Sequence, residues 1–270
     1  MILLFLLLFF MVLLSIAFLT LMERKILGYM QIRKGPNKMS VLGLVQPVLD
    51  GMKLFMKESF YIKSVNKFMF NVFPFLFFML MMNCWFMYMF NKYHIVSYSL
   101  VFFILISGLS VHSVLGVSWA SNSKYALLGA YRLVSQTVSY EVGLVFLLMN
   151  FVLLSKSYNL LDLMVFNNFS LMSFYIMFNL FLIWLVVMLA ELNRAPFVFL
   201  WESKSAGFWV YIEFGSSKFA LLFLAEYGNI IFFFLFEICY IFYKKLNIIN
   251  VINFIFSGMS ASNISSLSLW

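Results

Sequence analysis

Charge is scarce in this chain. Only 10% of its 270 residues are Asp, Glu, Lys or Arg, against about a quarter in soluble domains, while 64% are hydrophobic. A soluble fold with that surface would aggregate, so the composition selects an all-α membrane protein of several spans. Cysteine is scarcer still. Cys84 and Cys239 each sit alone in an apolar run without a CxxC or CxxH, which excludes an iron–sulfur cluster, a zinc site or a disulfide framework built by this chain alone. Of the two histidines, His94 falls in a loop and His112 lies in a span with no neighbour at metal-ligand spacing, and so reads as a core histidine. No glycine-rich phosphate loop, nucleophile elbow or metal-binding cluster occurs. Any redox or hydrolytic reagent must therefore come from another subunit.

What is present is grease in long blocks. Ile2 to Met22 is broken only by Ser15 and Thr20, and at ~1.5 Å per residue it can cross a bilayer core of ~30 Å. It lacks the basic start and small-residue cleavage site of a signal peptide and counts as a span. Further blocks run from about Phe68 to Phe90, Tyr98 to Ser118, Leu127 to Leu154, Leu171 to Ala190 and Lys218 to Tyr243, giving six spans in a single transmembrane domain over residues 1–270. Leu246 to Phe256 is too short to cross alone, and residues 244–270 read as a divergent or truncated tail. Most of the 18 Lys and Arg residues fall in the loops after the first, third and fifth spans, notably residues 22–67 and 191–217. The positive-inside rule places those loops on the inner side and the N-terminus opposite. A net charge of +8 then describes one face and its anionic lipids or partners, with no call for nucleic acid. The 36 Phe and 19 Met, beside much Ile and Asn, fit an AT-rich organellar gene.

Against this background four acids stand out: Glu141, Glu191, Glu226 and Glu237, each inside a span or at its lip. Ionisable groups at such depth line a protein interior or a wet path. They are either parts of a proton or ion route or buried structural acids. Glu141 falls nearly opposite Arg132 on the helical wheel, so it needs a partner elsewhere. Gly129, Arg132, Gln136, Ser139 and Gly143 share one face of the fourth span, and such a face is expected to pack against protein. Glu191 has Arg194 one turn on as a candidate ion-pair partner before Pro196 ends the helix. Glu226 and Glu237 share one face about three turns apart, with Glu237 near the outer end where it can snorkel.

The loop of residues 22–67 carries the other unusual pattern. Gly35-Pro36-Asn37 makes a turn, and from Leu44 to Phe60 the residues Val45, Val48, Leu49, Met52, Phe55 and Met56 recur at helical spacing. Asp50, Lys53 and Lys57 lie on other sides. This predicts an amphipathic helix in the interface plane.

The run Glu23-Arg24-Lys25-Ile-Leu-Gly28-Tyr29-Met-Gln31-Ile-Arg33-Lys34-Gly35-Pro36-Asn37-Lys38, followed by Gln46-Pro47, Asp50, Lys53-Leu54 and Lys57-Glu58, resembles the chain 1 family of NADH:ubiquinone oxidoreductase, a core membrane subunit of respiratory complex I. The likeness continues through Trp119-Ala-Ser-Asn-Ser-Lys124-Tyr125, Arg132, Gln136-Thr137, Ser139-Tyr140-Glu141, Ala190-Glu191-Leu-Asn-Arg194 and Leu224-Ala225-Glu226-Tyr227. It implies a subunit with no redox centre of its own in the mitochondrial inner membrane. Ubiquinone would be its substrate, held with hydrophilic quinone-module subunits and other membrane subunits; no metal, flavin or iron–sulfur cluster is expected in the chain. Carried over by motif, Arg24, Gln31, Arg33 and Asp50 would belong to the quinone chamber. Glu141, Glu191, Glu226 and Arg194 would belong to a proton route, with Glu202 and Glu213 standing for acids of the following loop.

Two departures stand out. The family's acid-rich loop after Pro-Phe is here Val198-Phe-Leu-Trp201-Glu202-Ser-Lys204, with most acids gone, and the family's basic Leu-Pro-Arg motif and last helix do not appear. Two other classes also use intramembrane acids: a stand-alone secondary transporter or channel, and the related subunit of an ion-pumping hydrogenase. A transporter should show internal repeats and paired broken helices, and neither is seen in the sequence.

Overall fold

The computed structural model describes residues 2–59, 65–92, 98–159, 171–192 and 214–241. Among them the elements are α1 (Ile2–Met30), a 3-10 turn (Val41–Gly43), α2 (Gln46–Met56), α3 (Lys67–Lys92), α4 (Ser99–Ser121), α5 (Lys124–Ser155), α6 (Leu171–Glu191) and α7 (Ser216–Ile241), with no strand. Five of these helices, α1, α3, α4, α5 and α7, are long and apolar enough to cross a membrane. α6, at 21 residues, has the length of a sixth. His94, Arg194, Glu202, Glu213, the short Leu246 to Phe256 block and the tail lie outside the described residues, as does the side chain of Glu237.

Helix ends follow local chemistry. α1 does not stop at Met22 but carries Glu23-Arg24-Lys25 on its last turns. It closes where Ile32 N–H donates to the Tyr29 carbonyl at 3.1 Å and Arg33 N–H to the Gly28 carbonyl at 2.9 Å, with Ile32 left-handed at φ 55°. This is the paired 5→2 and 6→1 bonding that satisfies orphan helix carbonyls. The polar run at Trp119 to Tyr125, expected as a preface to the fourth span, instead divides between two helices. α4 ends on Asn122 in the left-handed conformation, which Asn tolerates, and the Ser123 hydroxyl accepts from Ala126 N–H at 3.3 Å to start α5.

Adjacent helices run antiparallel. Asn66 N–H donates to the Ala120 carbonyl at 3.2 Å on the side of the basic loop, and Leu100 N–H donates to the Tyr158 carbonyl at 3.3 Å on the other. α3 packs against α4 and α7, α5 joins α4 to α6, and α7 also meets α1, α2 and α6. Lipid tails give no hydrophobic drive between helices, so close approach and shape do this work. Gly116 of α4 lies directly under the Phe73 ring of α3, and Gly228 of α7 sits where a Cβ would stand 2.6 Å from Met81 Sδ. Beside it Trp85 Nε1–H donates to the Gly228 carbonyl at 3.3 Å. An aromatic column, Phe103 on Phe236 at 5.0 Å and Phe236 on Trp184 at 5.2 Å, ties α4, α7 and α6 together. Each such pair contributes ~0.5–1.5 kcal/mol beyond area burial. At the start of α7, buried Lys218 lies 4.6 Å above the Phe70 ring, which stacks on Phe214 at 3.9 Å.

Candidate functional site

At the basic-loop end of α1, two neighbouring residues reach different helices because successive side chains point ~100° apart. Arg24 Nη1 donates to Asp50 Oδ2 of α2 at 2.6 Å, and Gln46 Nε2 donates to the other oxygen, Oδ1, at 3.0 Å. Glu23 Oε2 accepts from the Tyr227 hydroxyl of α7 at 2.8 Å. Lys25 Nζ donates to the Leu42 carbonyl at 2.6 Å and holds the intervening loop. α2 begins with Pro47 in its first turn, where the missing N–H costs nothing. The predicted stripe is real but faces away from the chain: Val45, Val48, Met52, Phe55 and Met56 are exposed, while Asp50 is half-buried against Arg24. Gln31 and Arg33 are exposed just beyond α1 and join no printed cluster with Asp50. The structure thus brings together Arg24 and Asp50 of the four loop residues singled out by sequence.

Deeper in the bundle a cavity of about 80 Å³ opens between the middle portions of α3, α4, α5 and α7 and the end of α6. Glu191 and Glu226 both line it, with Ser107, Ser110, Thr137 and Asn229 as further polar groups. A water needs ~10–15 Å³ of such space and two to four polar partners, so the cavity can hold several. Glu191 is therefore not at a wet lip. Its Oε2 is fully buried, and the helix that carries it ends beside the cavity. There Gln136 Nε2 of α5 donates to the Ala190 carbonyl at 2.8 Å, satisfying a terminal carbonyl that lipid could not. The negative end of α6 and two carboxylates make this wall electronegative. Phe103 and Phe233 close it with apolar surface.

Glu141 lies outside that cavity. Its Oε1 sits 2.7 Å from where a Cβ on Gly108 of α4 would stand, so it leans across a gap that only glycine leaves. It is near enough to Glu191 for the two charges to act on each other, and the same holds for His112 and Glu141.

Two expectations need correction. His112 is exposed rather than a core histidine, because α4 turns that face outward from α3. The α5 face of Arg132, Gln136, Ser139 and Gly143 is only partly packed within this chain. Gln136 and Gly143 meet α6, with Val187 Cγ2 at 3.8 Å from a Cβ on Gly143, whereas Arg132 and Ser139 are exposed.

A family model described as NADH dehydrogenase matches residues 3–264. NADH-ubiquinone oxidoreductase chain 1 of Strongylocentrotus purpuratus is 47% identical over 224 residues, covering 82% of this chain and 68% of its own. The proteins of the same name from Heterololigo bleekeri and Apis mellifera ligustica are 46% and 43% identical, covering 82% and 84% of this chain and 70% and 74% of their own. The chain belongs to the NADH-ubiquinone oxidoreductase chain 1 family. Within that family's motifs, sequence reading singled out Glu191 and Glu226 but did not join them; their meeting depends on α6 ending beside the middle of α7. It also passed over Tyr227 and Glu23, whose only sequence signal is a titratable group at a helix lip and a tyrosine next to an intramembrane acid. No group of three or more His, Cys, Asp or Glu suited to a metal occurs among the described residues.

Proposed function

We propose that the chain serves as the membrane subunit of a mitochondrial inner-membrane NADH–ubiquinone oxidoreductase, and that it couples quinone reduction to proton movement. The cavity shared by Glu191 and Glu226 carries this reading: two carboxylates, a helix end and room for water at mid-depth are what a proton path needs and what a simple anchor does not. Glu141 extends the path toward α4, and Arg194, Glu202 and Glu213 complete it from sequence outside the described residues. Arg24, Gln31, Arg33 and Asp50 form the chain's side of the quinone chamber. The charged knot of Arg24 and Asp50, beside outward apolar side chains of α2, suits a ligand with a polar head and a lipid tail. Hydrophilic subunits cap this side and supply the electrons; other membrane subunits and lipids surround the bundle. The basic loops face the matrix and the N-terminus the intermembrane space.

Glu226→Gln in the assembled enzyme tests it. Quinone-linked proton translocation is expected to fall about fivefold, less than full loss of a positioned proton carrier because water and hydroxyls in the cavity offer a bypass. Electron transfer from NADH to an artificial acceptor should be unchanged. Wild-type translocation would remove Glu226 from the path.

A further inference from the structure

We propose that His112 is a proton-transfer residue, taking protons from Glu141 and delivering them out of this chain through the lateral face of α4 and α5. The inference rests on Glu141 belonging to the proton path and adds where that path leaves the subunit.

The placement comes first. His112 is 13 residues from the start of α4 and 9 from its end, near mid-span, and Glu141 lies near the middle of the 32-residue α5. Gly108 and His112 are one turn apart on one face, and the Glu141 carboxylate rests against Gly108. Glu191 and Glu226 share the internal cavity, while Glu141 stands on the other side of the α4–α5 seam. The acids therefore lead outward, and His112 is the next titratable side chain in that direction.

The surroundings come second. Leu105 and Leu109 of α4 and Val138 and Val142 of α5 flank the pair and are between 44% and 54% exposed. This is membrane-depth surface. An imidazole and a carboxylate there are too costly to leave among acyl chains, so a transmembrane helix of another subunit covers them. Imidazole suits a handover because its two nitrogens act separately. One nitrogen accepts the proton leaving the Glu141 carboxyl. The other N–H then gives its own proton to a carboxylate on the covering helix, restoring neutral imidazole with the opposite nitrogen protonated. Each transfer breaks one bond to hydrogen and forms one, with no electron moved.

The test uses the assembled enzyme in vesicles. His112→Gln keeps a polar side chain of similar reach but cannot be protonated, and translocation should fall about threefold with a raised solvent deuterium isotope effect. A packing defect would lower the rate without raising that effect. Gly108→Ala leaves every functional group in place and pushes the Glu141 carboxylate aside, since a Cβ would stand 2.7 Å from it. It should slow translocation similarly, and combining it with His112→Gln should add little, as expected for two changes to one step. Wild-type translocation in both His112→Gln and Gly108→Ala, with Glu141→Gln impaired, would overturn the role of His112 alone. Wild-type behaviour of Glu141→Gln would instead overturn the path on which it rests. If His112→Gln fails to assemble, Gly108→Ala decides.

Discussion

Replacing Glu191 by Gln should reduce quinone-linked proton translocation about a hundredfold, the scale on which loss of a positioned proton donor or acceptor is felt. The amide keeps the shape and hydrogen-bonding reach of the acid but neither takes nor gives a proton near neutral pH. Glu191 merits the larger effect than Glu226 because of its position. It stands at the end of α6, shares the cavity with Glu226 and is electrostatically coupled to Glu141, so a proton passing between the two others meets it. Its buried Oε2 leaves little room for a solvent detour. Folding should be spared, since Gln136 still caps the helix end through the Ala190 carbonyl. Electron input from NADH to an artificial acceptor should stay near wild type in the same preparation. Loss of both activities together would point to failed assembly instead of a broken path.

Arg24→Ala should raise the quinone KM about tenfold, equivalent to ~1.4 kcal/mol, while changing stability by no more than ~1 kcal/mol. The two magnitudes separate because Arg24 and Asp50 are 54% and 37% exposed at the side chain, where an ion pair adds little to folding. Its value lies in placement. Arg24 and Gln46 take one oxygen each of Asp50, and that fixes the rotation of α2 about its axis. Without Arg24, Asp50 loses its charged partner and the helix is free to turn its apolar side. Steady-state titration with a short-chain quinone, with thermal unfolding of the assembled enzyme alongside, measures both quantities. An unchanged KM and unchanged inhibitor response would place Arg24 outside the chamber.

Much of this was readable from residue order. Apolar block length marks the spans, since lipid allows only segments that satisfy their own backbone, and the observed helices fall close to those blocks. The stripe of α2 follows from its three- and four-residue spacing, although the helix is Gln46–Met56 rather than Leu44 to Phe60. The side on which that stripe lies was not readable, because Arg24, twenty-six residues earlier, pulls Asp50 inward and so turns Val48 and Met52 out. A helical wheel gives the face of a residue but not the neighbour behind it. For this reason His112 looked internal and is exposed, and the Arg132 and Ser139 positions looked packed and are open. Glu191 looked like a lip residue because charge ends an apolar block there; that α6 ends beside a cavity follows only from its packing against α5. The Glu23–Tyr227 bond spans 204 positions and leaves no periodic trace at all.

The central claim is that Glu191 and Glu226 face one another across water in a protein interior. An experimental map of the assembled enzyme, at a resolution that shows ordered solvent, tests it most directly. Waters in hydrogen-bonding reach of both carboxylates, with Ser110, Thr137 or Asn229 as further partners, are the expected result. A dry cavity filled by an acyl chain or collapsed side chains, with either glutamate turned away, would contradict it.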